Sequence, residues 1–297
     1  MTGPYFLGID GGGTKCKARL EDRQGNFLAE FVSGPANPFR DFNTAIESIE
    51  QAVAGVYFAA NLAPQQATAS THAVIGLAGL NIPSCLDTMQ RWKHPFANLQ
   101  LTTDLHIACV GAHKQDAGAI VIIGTGSSGV VCTAHRQIEF GGHGFSLGDK
   151  GSGAWFGSHA IRCALESLDG IRPCSPLIDE LMQYIQCEFA HQIVDLYLDA
   201  SPAKFAELAP IVFKHADNKE TLATEIVTQG ADYINQLCHQ MMQHNPPRFA
   251  LIGGLSHKIV DWLKADITAQ LCAPLNTPEA GAILIARNQY SVRNKLA

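Results

Sequence analysis

The sequence predicts a two-domain α/β protein. The chain has 297 residues, more than one hydrophobic core usually organises. Of these residues 46% are hydrophobic and 16% are charged, a composition typical of well-packed globular domains. An apolar segment, a glycine-rich turn and a second β-like segment open the chain, and the same pattern returns after residue 118. We therefore expect two domains of related architecture, residues 1–116 and 117–297, with a central cleft.

The first domain is predicted to open with three antiparallel strands. Residues 5–9 are an apolar run, residues 16–20 alternate between apolar and basic side chains, and residues 27–32 follow a second turn. Between positions 46 and 60, apolar residues recur at spacings of three and four. This spacing predicts an amphipathic helix that covers the sheet.

Two more strands and two more helices complete the first domain. Residues 72–77 and 99–103 are apolar enough for strands, and residues 86–92 carry helical spacing behind Pro83. A further helix is expected directly after Asp104. Strands that alternate with helices in this way predict an α/β layer structure.

The second domain is predicted to start with strand, turn and strand over residues 119–133 and to end with a strand at 248–252 and a helix at 278–286. Its middle is predicted to be helical. Helical apolar spacing is found at residues 155–168, 177–189, 204–215 and 221–242.

Charge and cysteine usage exclude several classes of protein. The net charge is −6 and no dense basic run is present, so nucleic acid and anionic membranes are not expected partners. Neither a signal-type start nor a long apolar run is seen, which favours a soluble cytoplasmic protein. Nine cysteines without a CxxC pair argue against a zinc ribbon or a disulfide framework.

The two glycine-rich turns, at residues 10–15 and 124–129, carry the first functional signal. Glycines let backbone N–H groups approach an anion, and Thr or Ser hydroxyls add donors to phosphate oxygens. Two such turns facing each other would clamp the phosphates of a nucleotide. For either turn alone, an ordinary hairpin is the alternative, and the recurrence of the pattern favours phosphate binding.

A dinucleotide-binding fingerprint is the competing interpretation of the second turn. Gly124, Gly126 and Gly129 satisfy GxGxxG, but that fingerprint requires a helix directly after the glycines. Residues 130–133 are β-like instead. A Walker A sequence is absent, so the sequence favours neither a Rossmann domain nor a P-loop.

Asp10 is the candidate metal ligand. It follows an apolar strand and precedes three glycines, where an unpaired carboxylate is costly. Mg²⁺ would offset that charge, because it binds hard oxygen ligands and commonly needs only one carboxylate beside nucleotide phosphates. The alternative is a turn-forming Asp with no metal.

Taken together, the motifs resemble those of the actin, Hsp70 and sugar-kinase superfamily. Within it, the chain is similar to the bacterial glucosamine and N-acetylglucosamine kinases of the BadF/BadG/BcrA/BcrD ATPase family. The matching segments are Gly8-Ile9-Asp10-Gly11-Gly12-Gly13-Thr14-Lys15, Ile123-Gly124-Thr125-Gly126-Ser127, Gly148-Asp149-Lys150-Gly151-Ser152 and Leu251-Ile252-Gly253-Gly254-Leu255. The resemblance implies a two-domain actin-like ATPase (ribonuclease H-like) fold with duplicated βββαβαβα cores, in which the last helix packs back on the first domain.

The resemblance also implies a function, namely Mg²⁺-dependent transfer of a phosphoryl group from ATP to O6 of N-acetylglucosamine or glucosamine. It implies ATP contacts for Gly11, Gly12, Gly13, Thr14, Lys15, Gly124, Thr125, Gly126, Ser127, Gly253 and Gly254. It implies sugar contacts for Asn37, Asp104, Thr125, Gly141, Gly142 and Asp149, with Asp104 as the catalytic base. Homodimers are common among similar enzymes, and the choice between the two amino sugars is left open.

Several of these residues also have an ordinary structural explanation. Asp104 and Asp149 are each also suited to cap a helix, and Asn37 precedes a proline as turn residues often do. Two other functions remain open on the same fold. One is an ATPase activator of a reductase or dehydratase, which would need cysteines arranged for an iron-sulfur cluster. The other is a non-enzymatic sugar sensor.

Overall fold

The computed structural model describes residues 4–133 and 136–296, with side chains through Arg293. The chain forms two compact units. The first contains the chain up to Ile120, Val131–Gln137 and the chain from Ala273 onward, and the second contains Val121–Val130 and Ile138–Cys272. The domain boundary near residue 117 stays a prediction, since a compact unit need not coincide with a duplicated domain.

The described part of the chain contains nine strands in two sheets. The strands are β1 Tyr5–Gly11, β2 Cys16–Glu21, β3 Phe27–Ser33, β4 Thr71–Leu77, β5 Asn98–Thr103, β6 Gly118–Ile123, β7 Ser127–Cys132, β8 Gln137–Gly141 and β9 Phe249–Ile252. One sheet has the order β3-β2-β1-β4-β5 and the other has the order β8-β7-β6-β9.

The helices account for most of the remaining described residues. They are α1 Phe42–Ala59, α2 Pro64–Thr68, α3 Pro83–Gln90, α4 Asp104–His113, α5 Gly153–Leu168, α6 Pro176–Ile185, α7 Ala190–Tyr197, α8 Pro202–Ala206, α9 Ala209–Asp217, α10 Thr221–Met242, α11 Ser256–Ile259, α12 Ala265–Thr268 and α13 Pro278–Leu296, with a 3₁₀ turn at Val260–Trp262. In the described residues, no helix is long and apolar enough to cross a membrane.

The five-stranded sheet places three strand ends at one edge. β1 pairs antiparallel with β2 and parallel with β4, which in turn pairs parallel with β5. In register, Asp10 lies opposite Gly76 and Gly76 lies opposite Thr102. Because parallel strands end at the same edge, Asp10 and the residue that follows β5 are brought to one side of the sheet.

Helices cover both faces of this sheet in the first unit. Leu7 and Ile9 pack into a core with Ile49 of α1, whereas Phe6 packs on the other face with Ile283 of α13. Burial of each such side chain contributes about 1.5–3 kcal/mol. Gly8 allows α13 to approach closely, since a β-carbon there would overlap the Glu279 carbonyl oxygen. The predicted α/β layers are confirmed.

The structure corrects several predicted element boundaries. The helix predicted over 177–189 ends four residues early, because α6 stops at Ile185 and its C-cap Gln186 has a left-handed φ of 55°. The helix predicted over 204–215 is two helices, α8 and α9, and α13 extends ten residues past the predicted end at 286. Strand β8 was not predicted, although Ile138 and Phe140 alternate with Gln137 and Glu139 in this short segment.

The second sheet departs from an equal duplication of the first. Where the first sheet has β5 as a fifth strand, the described residues of the second have a single parallel bridge between Phe249 and Leu271. The strand order of the remaining four matches β3-β2-β1-β4 of the first sheet.

Candidate active site

The first glycine turn leaves open space beside its backbone. It is closed by a hydrogen bond from Gly12 N–H to the Lys15 carbonyl (3.0 Å), and the Gly12 carbonyl accepts from Ala36 N–H (2.8 Å). A β-carbon on Gly13 would meet no atom within 4 Å, and one on Gly12 would meet only the Lys15 carbonyl at 3.9 Å. Neither residue has a positive φ. The protein itself therefore gives no steric reason for glycine at these two positions, and the space beside them is open to a ligand.

Gly11, in the same turn, has a structural role. A β-carbon there would overlap the Leu77 side chain and come within 3.0 Å of the Ala36 β-carbon. Thr14 and Lys15, at the tip, are exposed. Of the five predicted phosphate contacts in this turn, Gly11 is thus required by packing, and the other four face open space.

Asp10 lies in an acidic cluster that also contains Asp104 and Glu279. Burial, together with the negative charges of Asp104 and Glu279, raises the pKa of Asp10 to about 7 against the opposing charges of Lys15 and Lys17. A carboxylate held in such surroundings favours a bound cation. Among the described residues, no group of three or more His, Cys, Asp or Glu side chains can hold a metal by itself. The buried Asp10 carboxylate beside two other acids fits Mg²⁺ held by Asp10 together with phosphate oxygens.

Asp104 is the first residue of α4 and does not cap it. The cap is Thr103, whose Oγ1 accepts a hydrogen bond from His106 N–H (3.2 Å). The alternative role as an N-cap is therefore wrong. Asp104 Oδ1 accepts from Leu105 N–H (2.9 Å), which fixes the carboxylate in the first turn of the helix.

Glu279 was not predicted from the sequence. It lies in the first turn of α13, is 2% exposed, and its Oε1 is 2.8 Å from Lys17 Nζ. Lys17 also contacts Glu30 at 3.1 Å, and it is the cross-strand neighbour of Asp10. In the sequence, Glu279 follows Pro278 and is typical of the first turn of a helix. Only the fold shows that it joins the acidic cluster.

Asn37 acts in a turn of the first unit. Its Oδ1 accepts hydrogen bonds from the N–H groups of Phe39 (3.0 Å) and Arg40 (3.3 Å). This confirms the turn interpretation for the side-chain oxygen. The predicted sugar contact of Asn37 stays a prediction.

The second glycine turn is tied to the start of α5. Gly124 and Thr125 carbonyls accept from the N–H groups of Gly153 (2.8 Å) and Ala154 (3.2 Å). Gly124 itself has no atom within 4 Å of a built β-carbon. As at Gly12 and Gly13, packing within the protein does not explain why this residue is glycine.

Ser127 is buried, and its hydroxyl is used within the protein. Ser127 Oγ donates to the Lys150 carbonyl (3.0 Å), and the Ser127 carbonyl accepts from Gly142 N–H (3.1 Å). The structure thus places this side chain in the support of the 141–152 segment. The predicted ATP contact stays a prediction, and it would involve backbone atoms.

Asp149 lies against the second glycine turn. Its Oδ2 is 2.8 Å from the position of a β-carbon on Gly126, so a larger residue there would displace the carboxylate. Asp149 has a φ of 56°, and the preceding turn residues Gly141 and Gly142 also have positive φ (66° and 69°). Ser152 caps α5 by accepting from Trp155 N–H (3.1 Å). The alternative that Asp149 caps this helix is therefore wrong.

The third glycine motif follows β9. A β-carbon on Gly253, at φ 101°, would overlap the Ile123 carbonyl, and Leu255 N–H donates to that carbonyl (3.0 Å). Gly254 has no atom within 4 Å of its built β-carbon. In the second unit, the structure therefore gathers the ends of β6 and β9.

Comparisons with known proteins show the family of the chain. The model of the BadF/BadG/BcrA/BcrD ATPase family matches residues 7–286. A glucosamine kinase of Vibrio cholerae is 34% identical over 282 residues, which cover 95% of each chain. A solved structure assigned as an N-acetylglucosamine kinase of Chromobacterium violaceum is 28% identical, with a TM-score of 0.89, over 96% of this chain and 100% of that chain.

A second solved structure has a similar fold but low sequence identity, so its likeness to this chain bears on the fold alone. It is a ROK family glucokinase of Streptomyces griseus in complex with glucose and AMPPNP, 17% identical, with a TM-score of 0.53, over 96% of this chain and 98% of that chain. The family match and the two solved structures together confirm the predicted two-domain actin-like fold class.

Proposed function

The chain belongs to the BadF/BadG/BcrA/BcrD ATPase family, and from this membership we propose that it is an ATP-dependent hexosamine kinase. The proposed reaction transfers the γ-phosphoryl group of ATP to O6 of glucosamine or N-acetylglucosamine. The similarity to a glucosamine kinase over 95% of the chain supports the substrate class. Since ATP is the phosphoryl donor, we also propose that the protein acts in the cytoplasm.

The observation that carries the proposal is the placement of Asp10 and Asp104 at one edge of the sheet beside an open glycine turn. Phosphoryl transfer needs a group that accepts the proton of the acceptor hydroxyl and charge that stabilises the transferred phosphoryl oxygens. Two carboxylates with different surroundings suit these two tasks.

Asp104 is the proposed general base. It would accept the proton of the sugar O6 hydroxyl as that oxygen attacks the γ-phosphorus. Its first-turn position holds the carboxylate still through the Leu105 N–H bond. A fixed base reduces the reorganisation needed when the hydroxyl arrives.

Asp10 is the proposed Mg²⁺ ligand, and the bound ion would neutralise charge on the phosphate oxygens. The open backbone at Gly12, Gly13 and Gly124 would donate N–H groups to phosphate oxygens. Lys15, exposed at the tip of the first turn, would add a positive charge.

In the second unit, Asp149 and the Gly141–Gly142 turn are proposed to bind the sugar. Hydroxyl-rich ligands require several hydrogen-bonding groups at once, and a site built for them rejects ligands that lack them. Asp149 is held in a left-handed backbone conformation and is 8% exposed, so its carboxylate has little freedom.

The ATPase-activator alternative is disfavoured by the thiols. Of the nine cysteines, seven are buried, Cys272 is partly exposed and Cys174 is exposed. A cluster shared between two chains would need paired thiols at a common surface. Iron found in anaerobically purified protein would favour the activator over the kinase.

A coupled ADP-release assay tests the proposed function. Glucosamine, N-acetylglucosamine, glucose and N-acetylmannosamine would be compared at equal concentrations, with a sugar-free reaction as the control. We expect the two amino sugars of the glucose series to give the highest kcat/KM. ADP release that does not depend on any sugar would contradict the kinase assignment.

A further inference from the structure

Tyr233, in the middle of α10, places its hydroxyl group beside the proposed sugar subsite. Tyr233 is half-buried, and its hydroxyl oxygen is 3.4 Å from the position that a β-carbon on Gly141 would occupy. Gly141 begins the left-handed pair Gly141–Gly142, whose backbone is held by the Ser127 carbonyl. No prediction from the sequence involved Tyr233.

The packing of α10 on this segment is carried by other residues. A β-carbon on Gly151 would stand 2.8 Å from the Gly230 carbonyl and 2.9 Å from the Ile234 side chain. Gly230 in turn packs against the Phe156 ring, and Ile234 is fully buried. The helix therefore reaches the 141–152 segment without help from the Tyr233 hydroxyl.

The Tyr233 hydroxyl is also within electrostatic reach of Asp149. Burial raises the pKa of Tyr233, and the negative charge of Asp149 raises it further. At neutral pH the phenol consequently keeps its proton and acts as a hydrogen-bond donor.

We propose that Tyr233 is a positioning residue of the hexosamine subsite, whose phenol group, beside Gly141, holds the Gly141–Gly142 turn in the arrangement that binds the sugar. This inference rests on the proposed kinase function. It assigns to Tyr233 a role in sugar binding and none in the binding of ATP or in proton transfer.

The test compares Tyr233→Phe with the wild type, using Tyr184→Phe as the matched control. Tyr184 lies on α6 with 55% exposure. In Tyr233→Phe, we expect KM for the sugar to rise by up to about tenfold, as for loss of one hydrogen bond. KM for ATP, kcat at saturating sugar and Tm should change no more in Tyr233→Phe than they do in Tyr184→Phe.

A second variant separates the hydroxyl from the ring. If Tyr233→Phe matches the wild type and only Tyr233→Leu is impaired, the ring packs structurally and the proposal is overturned. A loss in Tm, or equal changes in both KM values, in Tyr233→Phe would overturn it as well. Calorimetric titration with the sugar alone, without nucleotide, should show the same weakening.

The outcome for Tyr233 can be told apart from the outcome for the proposed function. If the wild type forms no sugar phosphate, the kinase proposal fails, whatever the variants do. If the wild type phosphorylates the sugar and Tyr233→Phe has an unchanged KM, only the role of Tyr233 fails.

Discussion

At the scale of single residues, the site depends on carboxylates whose surroundings differ. Asp10 is buried beside Asp104 and Glu279, which makes its charged form costly. Asp104 is fixed at a helix start by Leu105 N–H, and Asp149 is fixed by a left-handed backbone and by contact with the second glycine turn. Each carboxylate thus has a fixed position before any ligand binds.

The raised pKa of Asp10 predicts a pH-dependent stability in the metal-free protein. In the folded state this pKa is about 7, whereas its ordinary value is 3.8. Between these values the folded chain retains a proton that the unfolded chain has released, so stability falls as pH rises through this window. Asp10→Asn removes the effect. The difference between the Tm of Asp10→Asn and the Tm of the wild type should therefore grow in favour of the variant as the pH rises from about 4 to about 7.

Thermal unfolding in a chelator measures this difference, with Asp87→Asn, an exposed change on α3, as the control. Added Mg²⁺ and ADP should stabilise the wild type more than Asp10→Asn, because the variant lacks the proposed ligand. Parallel Tm curves for the wild type and Asp10→Asn across the window would contradict the assignment of a costly charge.

Asp104→Asn should lower kcat by roughly 10² to 10⁴ and leave the KM values nearly unchanged, because it removes the proton acceptor and keeps the shape of the side chain. Steady-state kinetics with the preferred amino sugar measure this effect. Turnover equal to that of the wild type would remove Asp104 from the mechanism.

At the scale of elements, the turns and the helix starts position these residues. The carboxyl ends of β1, β4 and β5 meet at one edge, and α13 adds its first turn to that edge through Glu279. In the second unit, the start of α5 donates N–H groups to the turn between β6 and β7. Glycines in these turns fall into two classes, those required by packing and those facing open space.

The two classes of glycine predict opposite effects of alanine. Gly13→Ala should leave Tm unchanged and raise KM for ATP about tenfold, because its methyl group enters only the space of the proposed phosphates. Gly11→Ala should lower Tm, because its methyl group overlaps Leu77. Thermal unfolding and ATP kinetics on both variants measure this contrast. An unchanged KM for ATP in Gly13→Ala would argue against phosphate binding by this turn.

The Lys17–Glu279 ion pair should stabilise the contact of α13 with the sheet. Lys17→Met leaves Glu279, 2% exposed, without its nearest cation. The expected loss in the free energy of unfolding is on the order of 2 kcal/mol, reduced from the value for a fully buried pair because Lys17 is partly exposed. Lys258→Met, which breaks an exposed pair with Asp217, is the matched control and should cost much less. Equal losses in denaturant unfolding would contradict this.

At the scale of the whole molecule, periodicity predicted the elements that pack on a sheet, such as α1 and β1. It did not predict the breaks at Gln186 and Leu208, because a left-handed residue or a short turn leaves the apolar spacing intact. The motifs located Asp10 and Asp104. Glu279 and Tyr233 were missed, since each reaches its neighbours only through helix packing far along the chain.

The central claim is that the chain transfers phosphate from ATP to the O6 hydroxyl of an amino sugar. Its most direct test is the product formed by purified protein with ATP, Mg²⁺ and glucosamine or N-acetylglucosamine, identified by phosphorus and proton NMR. We expect ADP and sugar phosphate in equal amounts, with phosphorus coupled to the protons on C6, and almost none from Asp104→Asn. ADP without sugar phosphate, or a phosphate on another carbon, would contradict the account.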